Sequence, residues 1–351
     1  MYGWEAAAAV KQSREVIASI ISATPEEIVF TSGATEANNL AIKGIAEAYL
    51  HQGQHIITVV TEHRAVLEPC AYLETLGFEV TYLKVNADGL LYINSLKFAI
   101  RPDTILVSVM AANNEIGVLQ PLTEIGALCH SCGVIFHTDA AQAIAKIPLD
   151  VDKMNIDLMS FTAHKIYGAK GIGALYVRRR NPRVKLASQF QGGGQERGRR
   201  SGTLYTPQIV GFAKALEIGL AEMAEESKRL FKLKQQLWQM LETLEGIYLN
   251  GSLTNSLPGN LNISITGINS SALLRELQPI VALSSGSACS SVSTAPSHVL
   301  TALGRSKKLA QASLRFGIGR FNTVDEINTV GEAVIATIKS LRKKNNLELN
   351  G

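Results

Sequence analysis

Short apolar runs alternate with helical patterns along the first half of the chain. The runs are bounded by polar residues and predict strands buried on both faces of a sheet; they lie at 28–30, 55–60, 78–85, 104–109, 134–138 and 158–162. Helical periodicity precedes them at 5–21 and separates them at 37–50 and 122–129. Because strand and helix alternate, the pattern predicts an α/β fold with a mostly parallel, doubly wound sheet.

The second half of the chain has a different pattern. A further strand is predicted at 173–177, and glycine-rich loops follow at 191–197 and 200–203. From Pro207 to about Leu244 the periodicity is helical with few breaks. A chain of 351 residues is long for one core. We therefore predict a large domain over 1–223 and a smaller C-terminal α+β domain over 224–351.

Composition and charge narrow the class of protein. Hydrophobic content of 46%, charged content of 18% and a net charge of +4 are typical of a globular protein. The arginine clusters at 178–180 and 197–200 are expected to be solvated faces, so no nucleic-acid partner is predicted. No apolar run approaches a membrane span, and the first residues lack the basic region of a signal peptide. We expect a cytoplasmic protein without a membrane partner.

The cysteines predict neither a disulfide framework nor a metal site. The motif Cys129-His130-Ser131-Cys132 has no second pair to complete a tetrahedral metal shell. Cys289 is different, because small polar residues surround it in 284–291. Packing cysteines usually lie among large apolar neighbours, so this pattern indicates an exposed loop with a functional thiol. A surface thiol without a role is the alternative.

Two predicted strands end in groups that suit one cofactor. Asp139 ends the run at 134–138, and Lys165 follows the run at 158–162. Side chains just past the ends of parallel strands line the crevice where ligands bind. Pyridoxal phosphate needs a lysine amine and an acid that keeps its ring nitrogen protonated. A buried Asp–Lys ion pair without a cofactor would give the same pattern.

Other candidate residues lie at the same kind of position. The stretch Thr31–Glu36 lies between a predicted strand and a predicted helix. Such a stretch is typical of a phosphate-binding turn, or phosphate cradle, in which free backbone amides and a hydroxyl bind the anion. Ordinary helix capping would favour the same residue types. His63 follows the second strand and is either a ligand contact or a capping histidine. Asn113 and Asn114 follow the fourth strand as turn formers or ligand contacts.

Taken together, these stretches closely resemble the cysteine desulfurases of the class V aminotransferase family, which have the fold-type I architecture. The resemblance covers nearly the whole chain and rests on motifs in a specific order and spacing: Thr31–Glu36, Thr61-Glu62-His63, Asn113–Gly117, His137–Gln142, Ala163-His164-Lys165, Arg200–Thr203, Ser285–Cys289 and Arg315-Phe316. The serine-rich loop around Cys289 is similar to that of the group serving nitrogenase and general iron–sulfur assembly.

The resemblance implies a role for each matching residue. Lys165 would bind pyridoxal phosphate as a Schiff base, and His63 would stack on the ring and assist proton transfer. The remaining cofactor contacts it implies are Asp139 at the ring nitrogen, Gln142 at the ring hydroxyl, Asn114 near the ring, and Ala34, Thr35, Thr162 and His164 at the phosphate. Thr203 would reach the phosphate of a neighbouring subunit, which implies a homodimer. Asn114 and Arg315 would bind the substrate carboxylate.

The implied reaction converts L-cysteine to L-alanine and leaves a persulfide on Cys289, from which sulfur passes to an iron–sulfur scaffold or another acceptor protein. Two alternatives remain. One is a selenocysteine lyase or another carbon–sulfur lyase that uses the same cofactor. The other is an inactive paralogue acting as a scaffold, because relatives begin several dozen residues earlier with a segment that lines the substrate side of the site.

Overall fold

The structure is a computed structural model that describes residues 2–285 and 296–349. The chain forms two compact units. The first comprises the residues up to Lys84, Leu91–Ala112 and Gln120–Met223. The second comprises Val85–Leu90, Asn113–Leu119 and the residues from Ala224 onward. The division into a large and a small domain at residue 223 stays a prediction.

The first unit is built from alternating helices and strands. In chain order they are α1 (Tyr2–Ile20), β1 (Ile28–Thr31), α2 (Ala34–Ala48), β2 (His55–Val59), α3 (Arg64–Glu74), β3 (Glu79–Leu83), α4 (Ile93–Ala99), β4 (Thr104–Ser108), α5 (Leu122–Ser131), β5 (Ile135–Asp139), β6 (Leu158–Thr162), β7 (Gly173–Val177) and α6 (Thr206–Leu241), which contributes residues to both units.

The strands of the first unit form a seven-stranded sheet in the order β1-β7-β6-β5-β4-β2-β3. Neighbouring strands from β6 to β3 run parallel, while β7 runs antiparallel to both β1 and β6. This confirms the predicted mostly parallel α/β fold. Because β1 and β6 point the same way, their carboxyl ends lie at the same edge as those of β4 and β5.

Both faces of this sheet are covered, which explains why its strands are continuous apolar runs. On one face, Leu40 and Ile45 of α2 pack with Ile56 and Leu106 of the strands in one buried cluster. Elsewhere in the unit, the ring of Phe161 lies 5.8 Å from a second phenylalanine ring, that of Phe212 in α6, measured between centroids. The buried apolar side chains therefore hold the carboxyl ends of the strands in fixed positions.

The second unit contains a four-stranded sheet in the order β10-β11-β9-β8, in which every pairing is antiparallel. Its elements are β8 (Ile247–Leu249), β9 (Asn260–Ile265), α7 (Ser270–Leu277), β10 (Ser284–Ser285), α8 (His298–Ala302), α9 (Lys307–Gln311), β11 (Ser313–Gly317) and α10 (Val324–Leu349). Leu237 of α6, Ile263 of β9, Leu314 of β11 and Ile338 of α10 belong to one buried cluster. This cluster is the core of the unit.

The element boundaries differ from the predicted ones where local signals are weak. The strand predicted at 78–85 is shortened to β3, an edge strand whose first residue, Glu79, is exposed. The short helix α4 has no counterpart among the predicted elements. In the part of the chain that the structure describes, no helix has the length and apolar composition needed to cross a bilayer.

Candidate active site

A buried carboxyl group lies at the end of the central strand β5. One oxygen of Asp139 accepts a hydrogen bond of 2.7 Å from the amide nitrogen of Asn38 in α2, and the other accepts one of 2.9 Å from the backbone of Ala141. Burial raises the pKa of the Asp139 carboxyl, although these hydrogen bonds and the charges of His63 and Lys165 act to lower it. The structure thus brings the predicted acid, histidine and lysine within electrostatic reach of one another.

A row of polar side chains lies beneath Asp139 in the sheet. His137 is two residues earlier on β5 and therefore points to the same face. Its Nδ1 lies 2.8 Å from the hydroxyl oxygen of Ser108, and its Nε2 lies 3.0 Å from that of Ser160. Burial lowers the pKa of His137 to about 3, so the imidazole is neutral near pH 7. Its hydrogen bonds therefore link β4, β5 and β6 without adding a charge below the site.

His63 occupies the N-terminal cap of α3. Its Nδ1 accepts a hydrogen bond of 3.1 Å from the backbone of Ala65, which leaves Nε2 to carry the proton of a neutral ring. The preceding residue, Glu62, is fully buried, and its Oε1 accepts a bond of 2.6 Å from the backbone of Met110. Burial, together with the nearby Asp139, raises the pKa of Glu62 well above its usual value. The capping alternative for His63 is thus observed in the structure, and it fixes the direction of the ring.

Lys165 lies in a helical turn, Ala163–Lys165, directly after β6. The hydroxyl of Thr162 at the end of β6 bonds to the carbonyl of Ile172 at 3.1 Å and lies 3.0 Å from Nδ1 of His164. Burial and the neighbouring Lys165 and Lys170 charges lower the pKa of His164. Lys165 itself is exposed. Its amine is therefore available to react with an aldehyde at the strand-end crevice.

The Thr31–Glu36 stretch joins β1 to the start of α2, with Gly33 at the cap and Ala34 and Thr35 in the first turn. A Cβ atom placed on Gly173 of β7 would lie 2.7 Å from the Cα of Gly33, so the strand and the turn meet where only glycine fits. Free amides at the start of a helix attract anions. This local geometry fits the predicted phosphate cradle.

An ion pair holds this cradle in place. The guanidinium of Arg200 donates to Glu36 at 2.6 Å, and Glu36 also accepts a bond of 2.7 Å from the backbone of Ser32. Burial acts to raise the pKa of Glu36, but the hydrogen bonds from Arg200 and Ser32 outweigh it and lower the pKa. Glu36 is therefore ionised near neutral pH and fixes the entry into α2.

Two further predicted residues lie in loops of the first unit. Gln142 is half-buried in the turn after Asp139, and its Oε1 accepts a long bond of 3.5 Å from Lys146. Thr203 is exposed in the loop before α6. The expected contact of Gln142 with a ring hydroxyl and that of Thr203 with a neighbouring subunit stay predictions.

The second unit contains the predicted carboxylate-binding pair. Nη1 of Arg315 on β11 donates to the backbone carbonyl of Asn114 at 2.7 Å, and its Nε donates to the hydroxyl of Ser284 at 3.1 Å. Arg315 and Asn114 are thus neighbours, as the resemblance implies. Cys289, the predicted sulfur-binding residue, lies outside the described residues.

The sequence interpretation missed Asn38, which holds Asp139. Within the described structure, the carboxamide Oδ1 of Asn38 is buried without a hydrogen-bond partner. The sequence does contain one signal: Asn38 is a polar residue on a face of α2 formed otherwise by residues such as Ala37 and Ala41. A polar side chain on a buried helix face requires a specific partner.

Comparison with known proteins places these residues in a family. The family model for aminotransferase class V matches residues 1–330. The chain belongs to this family. It is 53% identical over 341 residues to the cysteine desulfurase IscS of Tolumonas auensis, covering 97% of this chain and 84% of the relative. It is also 53% identical over 344 residues to the mitochondrial cysteine desulfurase of Arabidopsis thaliana, covering 98% and 76%.

The fold agrees with the family. A solved NifS-like protein superposes on the chain with a TM-score of 0.90 at 36% identity, covering 97% of this chain and 90% of that one. Members of the family depend on pyridoxal phosphate. The buried site fits that group: burial raises the pKa of the Asp139 carboxyl despite the opposing charges of His63 and Lys165, and a protonated ring nitrogen would give this carboxyl a direct cationic partner. The exposed Lys165 amine and the cradle at Thr31–Glu36 fit the aldehyde and the phosphate.

Proposed function

We propose that this protein is a pyridoxal-phosphate-dependent cysteine desulfurase. It converts L-cysteine to L-alanine, binds the released sulfur as a persulfide on Cys289, and passes it to an acceptor in iron–sulfur cluster assembly. The observation that carries the proposal is the buried Asp139 at the end of β5, whose carboxyl accepts hydrogen bonds from Asn38 and Ala141 and lies within reach of the charges of His63 and Lys165. The relatives named cysteine desulfurase support the choice of substrate.

The site residues of the first unit have distinct roles in the proposed reaction. Lys165 would hold the cofactor covalently, and its amine would move the α-proton of the substrate. Asp139, held by Asn38 and Ala141, keeps a proton on the ring nitrogen. When bound, pyridoxal phosphate supplies an electron sink for the α-carbon. Nε2 of His63, whose ring direction is set by the cap bond at Nδ1, would donate a proton during the reaction and take it back afterwards.

The second unit supplies substrate binding and sulfur transfer. The guanidinium of Arg315 binds the carboxylate of L-cysteine, assisted by the side chain of Asn114. The thiolate of Cys289 attacks the substrate sulfur, so a sulfur–sulfur bond forms while the carbon–sulfur bond breaks. One thiol and one L-cysteine give one persulfide and one L-alanine, with the proton returned to the former β-carbon. No external oxidant is needed.

The first experiment compares Lys165→Ala with Lys170→Ala, a matched control on an exposed lysine five positions further along. We expect Lys165→Ala to lose both borohydride-stable cofactor attachment and alanine formation, because it removes the amine that our assignment places at this strand end. Lys170→Ala should retain both. Mass analysis after borohydride reduction that finds the cofactor on another lysine would disprove the assignment.

The second experiment separates the reaction steps. Cys289→Ala should keep the visible absorbance of the bound cofactor, yet form neither persulfide nor sulfide from L-cysteine. Assays of the wild type with L-cysteine, L-selenocysteine and L-cystine should show the highest kcat/KM for L-cysteine. Higher kcat/KM for L-selenocysteine, with unchanged sulfide formation by Cys289→Ala, would instead favour a lyase that needs no protein thiol.

We also propose a homodimer in which Thr203 of one subunit reaches the cofactor phosphate of the other. Its exposed position before α6 supports this proposal. Light scattering should give twice the mass of one chain, and Thr203→Ala should weaken cofactor retention without changing that mass. A cytoplasmic location stays a prediction, since one relative is named as mitochondrial.

A further inference from the structure

The four-stranded sheet of the second unit has one apolar face and one face that carries polar side chains. Leu261 and Ile263 on β9 and Leu314 on β11 belong to the buried core cluster. Successive residues of a strand point to opposite faces, so Asn262 of β9 points away from that cluster. Arg315 of β11 is its direct cross-strand partner and lies on the same face. The predicted carboxylate-binding arginine therefore has a side-chain amide as its neighbour across the sheet.

Arg315 and Asn262 bind successive carbonyl groups of the turn that follows β4. Nη1 of Arg315 donates to the carbonyl of Asn114 at 2.7 Å. Nδ2 of Asn262 donates to the carbonyl of the next residue, Glu115, at 3.1 Å. The turn is also closed from within, since Oδ1 of Asn113 accepts a hydrogen bond of 2.8 Å from the backbone of Glu115. Two neighbouring peptide groups are thus bound to facing positions on β11 and β9, which fixes Asn114 relative to Arg315.

Asn262 is itself held by a chain of buried polar groups. Its Oδ1 accepts a hydrogen bond of 2.8 Å from Nδ2 of Asn250, the residue that follows β8. Asn250 also donates to the hydroxyl of Ser264 at 2.8 Å, and its own Oδ1 accepts a bond of 2.8 Å from Nε of Arg305. Asn250, Asn262 and Ser264 are all buried. Because both ends of the Asn262 amide are engaged, its donor stays directed at the turn.

We propose that Asn262 is a positioning residue for the substrate carboxylate: by binding the turn at Glu115, it fixes Asn114 and Arg315, the pair assigned to that carboxylate, relative to each other. This inference rests on the proposed function and deepens it. A two-pronged contact between arginine and a carboxylate requires a defined planar geometry. A turn that moved relative to β11 would lose this geometry, and the hydrogen bond from Asn262 opposes that movement.

An amide suits this position better than a carboxylate would. Asn262→Asp would place a carboxylate directly opposite Arg315, where it would compete with the substrate for the guanidinium. The bonds that Arg315 makes through Nη1 and Nε reach neutral oxygens, the carbonyl of Asn114 and the hydroxyl of Ser284. The Glu115 carboxyl also attracts this guanidinium, but burial raises its pKa to about 7, so it is only partly ionised near neutral pH. The charge of Arg315 therefore stays largely available for a bound carboxylate.

The test compares L-cysteine with cysteamine, which is L-cysteine without its carboxylate, in the cofactor-loaded enzyme. Asn262→Ala should raise KM for L-cysteine by about 10-fold, with kcat within about 2-fold. The inhibition constant of cysteamine should change by less than about 2-fold, because cysteamine has no carboxylate to position. Asn262→Asp should raise KM for L-cysteine further than Asn262→Ala does, since it adds a competing charge. Equal weakening of both ligands would indicate a purely structural role and overturn the proposal.

A second readout does not depend on activity. Amide hydrogen exchange over 114–117 should accelerate by about 10-fold in Asn262→Ala, because the turn loses its bond to β9. The matched control is Asn255→Ala, which removes another asparagine amide, one that donates to the carbonyl of Leu119 at 3.3 Å, at the far end of the same segment. This control should change neither the exchange over 114–117 nor KM for L-cysteine. If Asn262→Ala behaves like the control, the positioning role is wrong.

Two further results keep the proposal separate from fold stability and from the proposed function. If circular dichroism shows that Asn262→Ala does not fold, Asn250→Ala decides, because it removes the bond that orients the Asn262 amide and keeps its donor. KM for L-cysteine should then rise by about 3-fold, and an unchanged KM would overturn the proposal. If the wild type forms no alanine from L-cysteine, or Arg315→Ala leaves KM unchanged, the proposed function fails instead, and the exchange data still decide whether Asn262 holds the turn.

Discussion

Replacement of Glu115 by glutamine should make the second unit less sensitive to pH. Burial raises the pKa of this carboxyl from 4.5 to about 7, although the Ser297 hydroxyl and the Arg315 charge both act to lower it. The folded chain therefore binds more protons than the unfolded chain between these values. The contribution of Glu115 to the free energy of unfolding is therefore greatest below pH 4.5, and this contribution is lost as the pH rises through 7.

The size of the effect follows from the shift. A difference of one pKa unit corresponds to about 1.4 kcal/mol, so a shift of this size contributes roughly 2 to 3 kcal/mol between pH 5 and pH 8. Glutamine does not ionise. From pH 5 to pH 8 the wild type should therefore lose roughly 2 to 3 kcal/mol of unfolding free energy relative to Glu115→Gln.

Urea unfolding with tryptophan fluorescence measures this difference. The chain has two tryptophans. Trp238 packs on the core of the second unit, so a Trp4→Phe background makes it the reporter for that unit. Glu332→Gln, on an exposed position of α10, is the matched control and should follow the wild type. Parallel loss of stability in the wild type and in Glu115→Gln from pH 5 to pH 8 would refute the reasoning.

Other predictions concern the first unit. Arg14→Met should cost roughly 3 to 5 kcal/mol in urea unfolding, because it leaves the buried Glu196 carboxylate without the guanidinium that now donates at 2.6 Å; a loss below about 1 kcal/mol would show that the charge is solvated. His137, whose pKa burial lowers to about 3, should stay neutral in nitrogen NMR down to about pH 4, and its contribution to stability should be lost as the pH falls from 6.5 towards 3. Phe161→Ala should cost roughly 3 to 5 kcal/mol in urea unfolding by leaving a cavity beside Phe212; a small effect would mean that the rings are not packed as described.

Much of the first unit is predictable because its signals are local. Strands buried on both faces need continuous apolar runs, and the carboxyl ends of such strands lie at one edge of the sheet. This reasoning locates Asp139, Lys165 and the Thr31–Glu36 cradle from the amino-acid order alone. The order of the strands is not predictable in the same way, because pairing such as that of β7 between β1 and β6 depends on residues far apart in sequence.

The tertiary structure alone decided the partners of the buried polar groups. Sequence periodicity indicates that Asn38 lies on the buried side of a helix, but it does not indicate that its amide points to Asp139, 101 residues away. The same is true of Glu115 and Ser297, which are separated by 182 residues. The chain by itself determined most of its elements, its family and its candidate reactive groups, since these depend on local pattern and motif. Which groups are desolvated together, and hence which pKa values shift, depends on packing between distant segments.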